Sequence, residues 1–167
     1  MRVEADRAQA ALRVDDGHRE TEVHWDTSWA MHLGLDWDVT PAATAFLRSG
    51  RSFRAPTVDE RVLSTEAYNS FRLRTQTSWD MEGGMRWNRS QASGELRLWW
   101  MNVSNEIHFN AATFLNVNLS PTRRIGAEAN VVVALAEDWT LNLDLAWVRA
   151  RFREGLHKGK DLPLVSP

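Results

Sequence analysis

The side chains of this sequence best equipped for chemistry are arginines and aromatics in the long loops or at their margins: Arg54, Tyr68, Arg72, Arg74, His108, Phe114, Arg123 and Arg124. A guanidinium offers a planar fork of donors that matches anionic oxygens, and an aromatic ring packs against an organic shell. This is chemistry for holding a small anionic ligand. The competing role for Arg54, Arg123 and Arg124 is pairing with carboxylates of the fold itself. Bond-making chemistry finds no matching set. Ser, His and Asp occur, but no G-x-S-x-G motif and no spacing that aligns a triad. The pairs His24/His32 and Glu106/His108 are too loose to read as metal ligands and fit ordinary polar positions better. The absence of cysteine excludes disulfide frameworks, thiolate metal sites and cysteine nucleophiles. No catalytic activity, metal or cofactor is expected.

Long alternating stretches must position these groups. In Ser28 to Asp38, S-W-A-M-H-L-G-L-D-W-D, Trp29, Met31, Leu33, Leu35 and Trp37 occupy the odd positions and small or polar residues the even ones. A period of two is a strand with one apolar and one polar face. Trp29 and Trp37 bracket the apolar face, and the same spacing recurs at Trp79/Trp87 and Trp139/Trp147. With a rise of about 3.3 Å per residue and a tilt of about 40°, that spacing climbs roughly 20 Å, close to the apolar layer of an outer membrane. Tryptophan favours the membrane boundary, where its ring is buried and its N–H stays wet.

Along the chain, strands are predicted at Ala5 to Val14, Thr27 to Asp38, Ala43 to Gly50, Thr75 to Asn88, Glu95 to Phe109, Ile125 to Leu135 and Trp139 to Phe152. Leu96 and Leu98 alternate in one phase and Val103, Ile107 and Phe109 in the other, which predicts a bulge near Trp99 to Met101. Connections are short at 39–42, 89–94 and 136–138, and long at 15–26, 51–74, 110–123 and 153–167. In a meander, successive connections lie at opposite ends, so short turns gather at one end and long loops at the other, as in outer-membrane barrels. Trp37, Trp87 and Trp139 then form a girdle beside the turns, and Trp29, Trp79 and Trp147 one nearer the loops. Asp36, Asp38, Asp80, Glu82, Arg86, Arg124, Glu128 and Asp144 would line a wet lumen.

Composition bounds the rest. A chain of 167 residues, 43% hydrophobic, is ordinarily one domain. A net charge of −2 and pI near 6.2 give no basic signature, so nucleic acid is not an expected partner. No apolar run is long enough for a membrane helix. The mean hydropathy of −0.43 would usually be read as soluble, but a membrane barrel escapes that test because half of each strand faces a polar lumen. The start, M-R-V-E-A-D, lacks the apolar core of a signal peptide.

Four segments, in order, carry a family resemblance. S-G-R-S-F-R-A-P-T-V-D-E, Ser49 to Glu60, resembles the strand-to-loop segment of TonB-dependent outer-membrane receptors, with Arg54, Pro56 and Glu60 at its Arg-x-Pro and acidic positions. L-R-T-Q-T-S-W-D-M-E-G-G-M-R-W, Leu73 to Trp87, is similar to the following segment, whose E-x-G falls on Glu82 and Gly84. S-P-T-R-R-I-G-A-E-A, Ser120 to Ala129, resembles the G-x-E strand, at Gly126 and Glu128, and Ala150 to Pro167 the late loop, through Gly159 and Pro163. Thr75 stands where the family has proline, and Ser166 interrupts the final P-L-V-P.

The resemblance implies an all-β fold: an antiparallel up-and-down transmembrane β-barrel, here an incomplete portion of about seven strands forming a curved open sheet. Such receptors have about 22 strands and a plugged lumen. Residues 1–167 are therefore expected to be a partial barrel domain from the C-terminal half, without plug domain, signal peptide or closing C-terminal strand. The implied function is import of a scarce ligand with TonB-supplied energy, in a Gram-negative outer membrane. A ferric siderophore leads; cobalamin, haem and other cofactors share this barrel. Implied partners are outer-membrane lipid, the receptor's own plug domain, TonB through that plug, and the small-molecule ligand. A passive pore or adhesin barrel and a soluble β-rich binding module are the alternatives. The N-x-S triplets at Asn88, Asn102 and Asn118 carry no glycosylation meaning in such a membrane.

Overall fold

Three two-residue turns, Pro41–Ala42, Ser90–Gln91 and Glu137–Asp138, set the register of the main sheet. Pro41 lacks the N–H that a ladder would require, so the chain reverses there. The computed structural model describes residues 2–13, 19–62, 64–65, 68–69 and 73–162, with side chains over 27–61 and 73–162. Arg72 and Pro163 lie outside the described residues, and Tyr68 is described in its backbone alone.

The main sheet has seven antiparallel strands: β1 (Arg2–Arg13), β2 (Arg19–Thr40), β3 (Ala43–Arg54), β6 (Gln76–Arg89), β7 (Ala92–Ser104), β10 (Thr122–Ala136) and β11 (Trp139–Phe152). Each strand pairs with the next of these along the chain, so the sheet is an open, curved up-and-down meander. At the long-connection end sit a short helix, α1 (Val58–Val62), and two small ribbons. These are β4 (Ser64–Thr65) with β5 (Tyr68–Asn69), and β8 (Ile107–Asn110) with β9 (Leu115–Asn118).

Register sorts the side chains onto two faces. One row runs Leu35, Leu47, Gly83, Leu98, Ala127, Trp147, and the next row on the same face runs Trp37, Ala45, Met85, Leu96, Ala129, Leu145. These outward side chains are open to the surroundings, with Leu35 67%, Trp37 68% and Trp139 71% exposed. All six paired tryptophans occupy outward positions, and the rings of Trp29 and Trp79 meet edge to face at 5.8 Å. The opposite, inward face carries Asp36, Asp38, Asp80, Glu82, Arg86, Arg124, Glu128 and Asp144, as the alternation predicts. Its most enclosed residues, Val103 and Thr122, are cross-strand partners near the long-connection end.

Four details correct the sequence reading. β7 pairs without a register shift on both sides, so no bulge lies at Trp99 to Met101. Val103 is instead an apolar residue on the inward face, enclosed opposite Thr122, and Asn105, with a φ of 56°, ends the strand so that Ile107 and Phe109 belong to β8, which starts afresh. The 110–123 segment contains β9 and the start of β10 rather than a plain loop, and 51–74 contains the end of β3 and α1. β2 begins at Arg19, so much of 15–26 is strand. Register shifts do occur between Asp38 and Thr40 and between Ala134 and Ala136, each beside a two-residue turn.

Candidate functional site

The inward face gathers its charge in two adjacent register rows. One row reads Arg48, Glu82, Trp99, Gly126 across β3, β6, β7 and β10; the next reads Phe46, Gly84, Arg97, Glu128. Each bulky ring therefore has a glycine as its neighbour. A Cβ on Gly84 would fall 2.6 Å from the Phe46 ring, and one on Gly126 would fall 2.4 Å from the Trp99 indole. The glycines leave room for the rings to lie against the sheet.

The carboxylates engage what remains. Glu82 accepts from Arg48 at 3.2 Å and lies 3.5 Å from Arg97. Arg97 also donates to Glu128, whose other oxygen accepts from Trp99 Nε1 at 3.0 Å. One guanidinium thus links carboxylates on the strands to either side of its own. Arg86 extends the cluster to Asp36 at 2.9 Å, and its guanidinium and that of Arg48 each lie 5.1 Å from the Phe46 ring centroid. A shallow depression of about 220 Å³ opens beside Asp80, Glu82, Arg97, Trp99 and Glu128. Its chemistry is that of an ion-paired docking wall. Fixed charges and ring edges can hold a polar partner, and among the described residues no group of three or more His, Asp or Glu could hold a metal ion.

At the loop end the Arg-x-Pro segment builds a helix start. Thr57 Oγ1 accepts from the Glu60 N–H at 3.4 Å, and Glu60 accepts from the Thr57 N–H at 2.8 Å, the reciprocal pair of a capping box. Arg54 closes on Glu60 at 2.5 Å, and Pro56 is buried beneath. Burial alone would push the Glu60 carboxyl up; the Thr57 N–H and the Arg54 guanidinium outweigh it and hold the carboxyl below its ordinary value.

The ligand candidates do not converge on one pocket. Arg54 is engaged by Glu60. Arg124 faces inward and donates to Glu106, which also accepts from Thr122 at 3.2 Å. Arg123 faces outward, donating to Asn102 at 3.2 Å and lying 5.8 Å from the Trp100 ring. Arg74 is exposed, and its backbone is clasped by Asn118, which accepts at 2.8 Å and donates at 3.0 Å. That clasp sets Arg74 at the foot of the β8–β9 ribbon, which carries the exposed His108. Phe114, 71% exposed beyond β8, packs edge to face on Phe109. Gly159 has a φ of 82°, a conformation suited to glycine, in the segment that folds back so that Leu162 donates to Ala150 O at 3.0 Å.

Arg48, Arg97 and Trp99 are wall residues that sequence reasoning did not single out. The available signal was their register relative to Glu82, Gly84, Gly126 and Glu128.

A family profile described as TonB dependent receptor-like, beta-barrel, matches residues 2–167. The chain belongs to the TonB-dependent receptor β-barrel family. The family is one of transport receptors.

Solved structures of TonB-dependent receptors share the fold at low identity. The copper transporter OprC aligns with a TM-score of 0.69 and 17% identity, covering 78% of this chain and 21% of that one. The siderophore receptor PirA from Pseudomonas aeruginosa gives 0.65 and 18%, covering 76% and 29%. The FrpB iron transporter from Neisseria meningitidis gives 0.57 and 12%, covering 85% and 22%. The chain thus spans less than a third of the length of these structures. No curated protein matches it.

Proposed function

We propose that this chain forms a section of the barrel wall of an outer-membrane active-transport receptor. That receptor imports a scarce metal chelate or cofactor, a ferric siderophore foremost, using energy delivered through TonB to a plug domain. The observation that carries the reading is the family match over 2–167. An apolar outward band with tryptophans at both margins supports a bacterial outer-membrane location, and the ion-paired inward wall suits a lumen that holds a folded plug. The siderophore and iron transporters among the structural neighbours favour a chelated metal as cargo.

Ligand capture falls to the loop end, to Arg74 at the foot of the β8–β9 ribbon and His108 and Phe114 along it, with Arg72 and Tyr68 nearby in sequence. The experiment is ferric-chelate uptake by cells whose only such receptor carries this chain. Uptake that stops when the proton-motive force is collapsed supports the reading, and uptake that continues unchanged makes the barrel a passive pore. Replacing Arg72 and Arg74 together is expected to weaken uptake at unchanged surface level; unchanged uptake removes them from the site.

A further inference from the structure

On the outward face, charge is one-sided. A single register row at the loop end runs Met31, Arg51, Trp79, Asn102, Arg123, Arg151. Arg149 lies on the same face, paired with Ile125. From that row towards the turns, the described outward positions other than Arg149 are apolar or small until Arg89 at the Ser90–Gln91 turn.

Arg51 lies 4.1 Å from the Trp29 ring and donates to the Trp29 carbonyl. Arg123 is held by Trp100 and Asn102, and neither Arg51 nor Arg123 meets a carboxylate among the described residues. Arg149 and Arg151 share a single carboxylate, Asp161, at 3.5 and 2.8 Å. Arg123 and Arg151 stand directly opposite each other across the β10–β11 ladder, an arrangement that repels when no anion joins them. Four guanidinium groups against one carboxylate therefore line the loop-side margin of an apolar face, three of them in the register row of Trp79.

We propose that this row binds the phosphate groups of anionic lipid headgroups at the loop-side membrane surface. The inference rests on the membrane reading above. Phosphate offers several charged oxygens to forked donors, and a headgroup is the source of such oxygens that lies at the depth of a tryptophan girdle. Trp29, Trp100 and Asn102 hold Arg51 and Arg123 against the barrel, so less side-chain freedom is lost on binding.

The test uses the whole receptor, purified in detergent and transferred to phosphatidylcholine vesicles with or without the bis-phosphorylated glycolipid lipid A. Bound lipid A is counted by native mass spectrometry. The triple variant Arg51→Gln, Arg123→Gln, Arg151→Gln is expected to lose roughly fivefold in affinity per arginine, on the order of a hundredfold in all. The corresponding triple lysine variant keeps the charge but not the fork, and is expected to fall between the two. Equal lipid A binding by wild type and glutamine variant, both folded by heat-modifiable migration, overturns the proposal. Displacement of lipid A by equimolar inorganic phosphate would make the row a free-anion site and also overturns it. A lipid-free species of twice the mass would assign the row to a second copy, with the same consequence. Failure of both proteins to enter vesicles at all would remove the membrane reading, and the lipid site with it.

Discussion

The Trp99 indole occupies the space in which a side chain on Gly126 would begin, 2.4 Å from that position. The two are direct cross-strand partners, so the glycine exists for the ring and the ring covers the glycine. Gly126→Ala is expected to destabilise the barrel by about 1–3 kcal/mol through overpacking and to break the Trp99–Glu128 hydrogen bond. Adding Trp99→Ala should restore part of that loss, so that the double variant is more stable than the sum of the single effects predicts. The readout is the temperature at which folded, heat-modifiable migration of the whole receptor is lost. Strict additivity would show that ring and glycine do not share this space.

Arg97 is 35% exposed, so its two carboxylate partners are screened in part by solvent. Arg97→Gln is expected to cost about 1–2 kcal/mol, leaving Glu82 with Arg48 and Glu128 without a cation. The loss should shrink in the further variant Arg97→Gln, Glu128→Gln, which removes the stranded charge. It should also depend on salt, unlike the Gly126→Ala effect.

The Arg54–Glu60–Thr57 cap predicts a pH dependence at the loop end. Glu60 titrates lower in the folded protein than in the unfolded chain, so its stabilisation is fully present above the unfolded value. It is lost as the pH falls through the folded value, below about 4.5. Limited proteolysis of the 55–62 segment should therefore accelerate on acidification through that range. In Glu60→Gln it should be faster at neutral pH and flatter across the range. A parallel pH profile in both proteins would remove Glu60 as the titrating group.

Leu33 lies midway between Trp29 and Trp37 and is 64% exposed. In a bilayer, Leu33→Arg should cost about 2–4 kcal/mol, the penalty for a cation near the midplane. Asn142→Arg, on the inward face, should leave stability within about 0.5 kcal/mol. Urea unfolding in vesicles distinguishes the two; equal costs would mean that the outward face does not meet lipid.

The same apolar band makes a solution prediction. Without detergent, the isolated chain should associate through its exposed face and sheet edges. A monodisperse monomer in plain buffer on size-exclusion chromatography would contradict it.

Alternation made the strands legible. Trp139 to Phe152 is β11 to the residue, and the inward carboxylates were readable because a period of two leaves no choice of face. What alternation does not encode is which residues of neighbouring strands stand side by side. That depends on the length of each turn, and Ser90–Gln91 is two residues rather than the six of R-S-Q-A-S-G. The miscount concealed Arg97 and Trp99 as partners of Glu82 and Glu128. Adjacent Trp99 and Trp100 looked like a break in phase because one faces inward and the other outward. The α1 start was available in Thr57-x-x-Glu60, but its five residues are too few for helical periodicity to register. The β8–β9 ribbon was obscured by Asn105, an asparagine whose backbone conformation no pattern of hydropathy reveals.

The placement of Arg97 has a mechanical consequence. Ladder hydrogen bonds run across the strands and hold neighbours together. A guanidinium shared between Glu82 on β6 and Glu128 on β10 adds ties that stretch when either strand slides past β7. With Arg48 to Glu82 and Arg86 to Asp36, such ties reach from β2 to β10. A panel braced in this way resists shear, so a pull along its inner surface is shared among five strands instead of opening one seam.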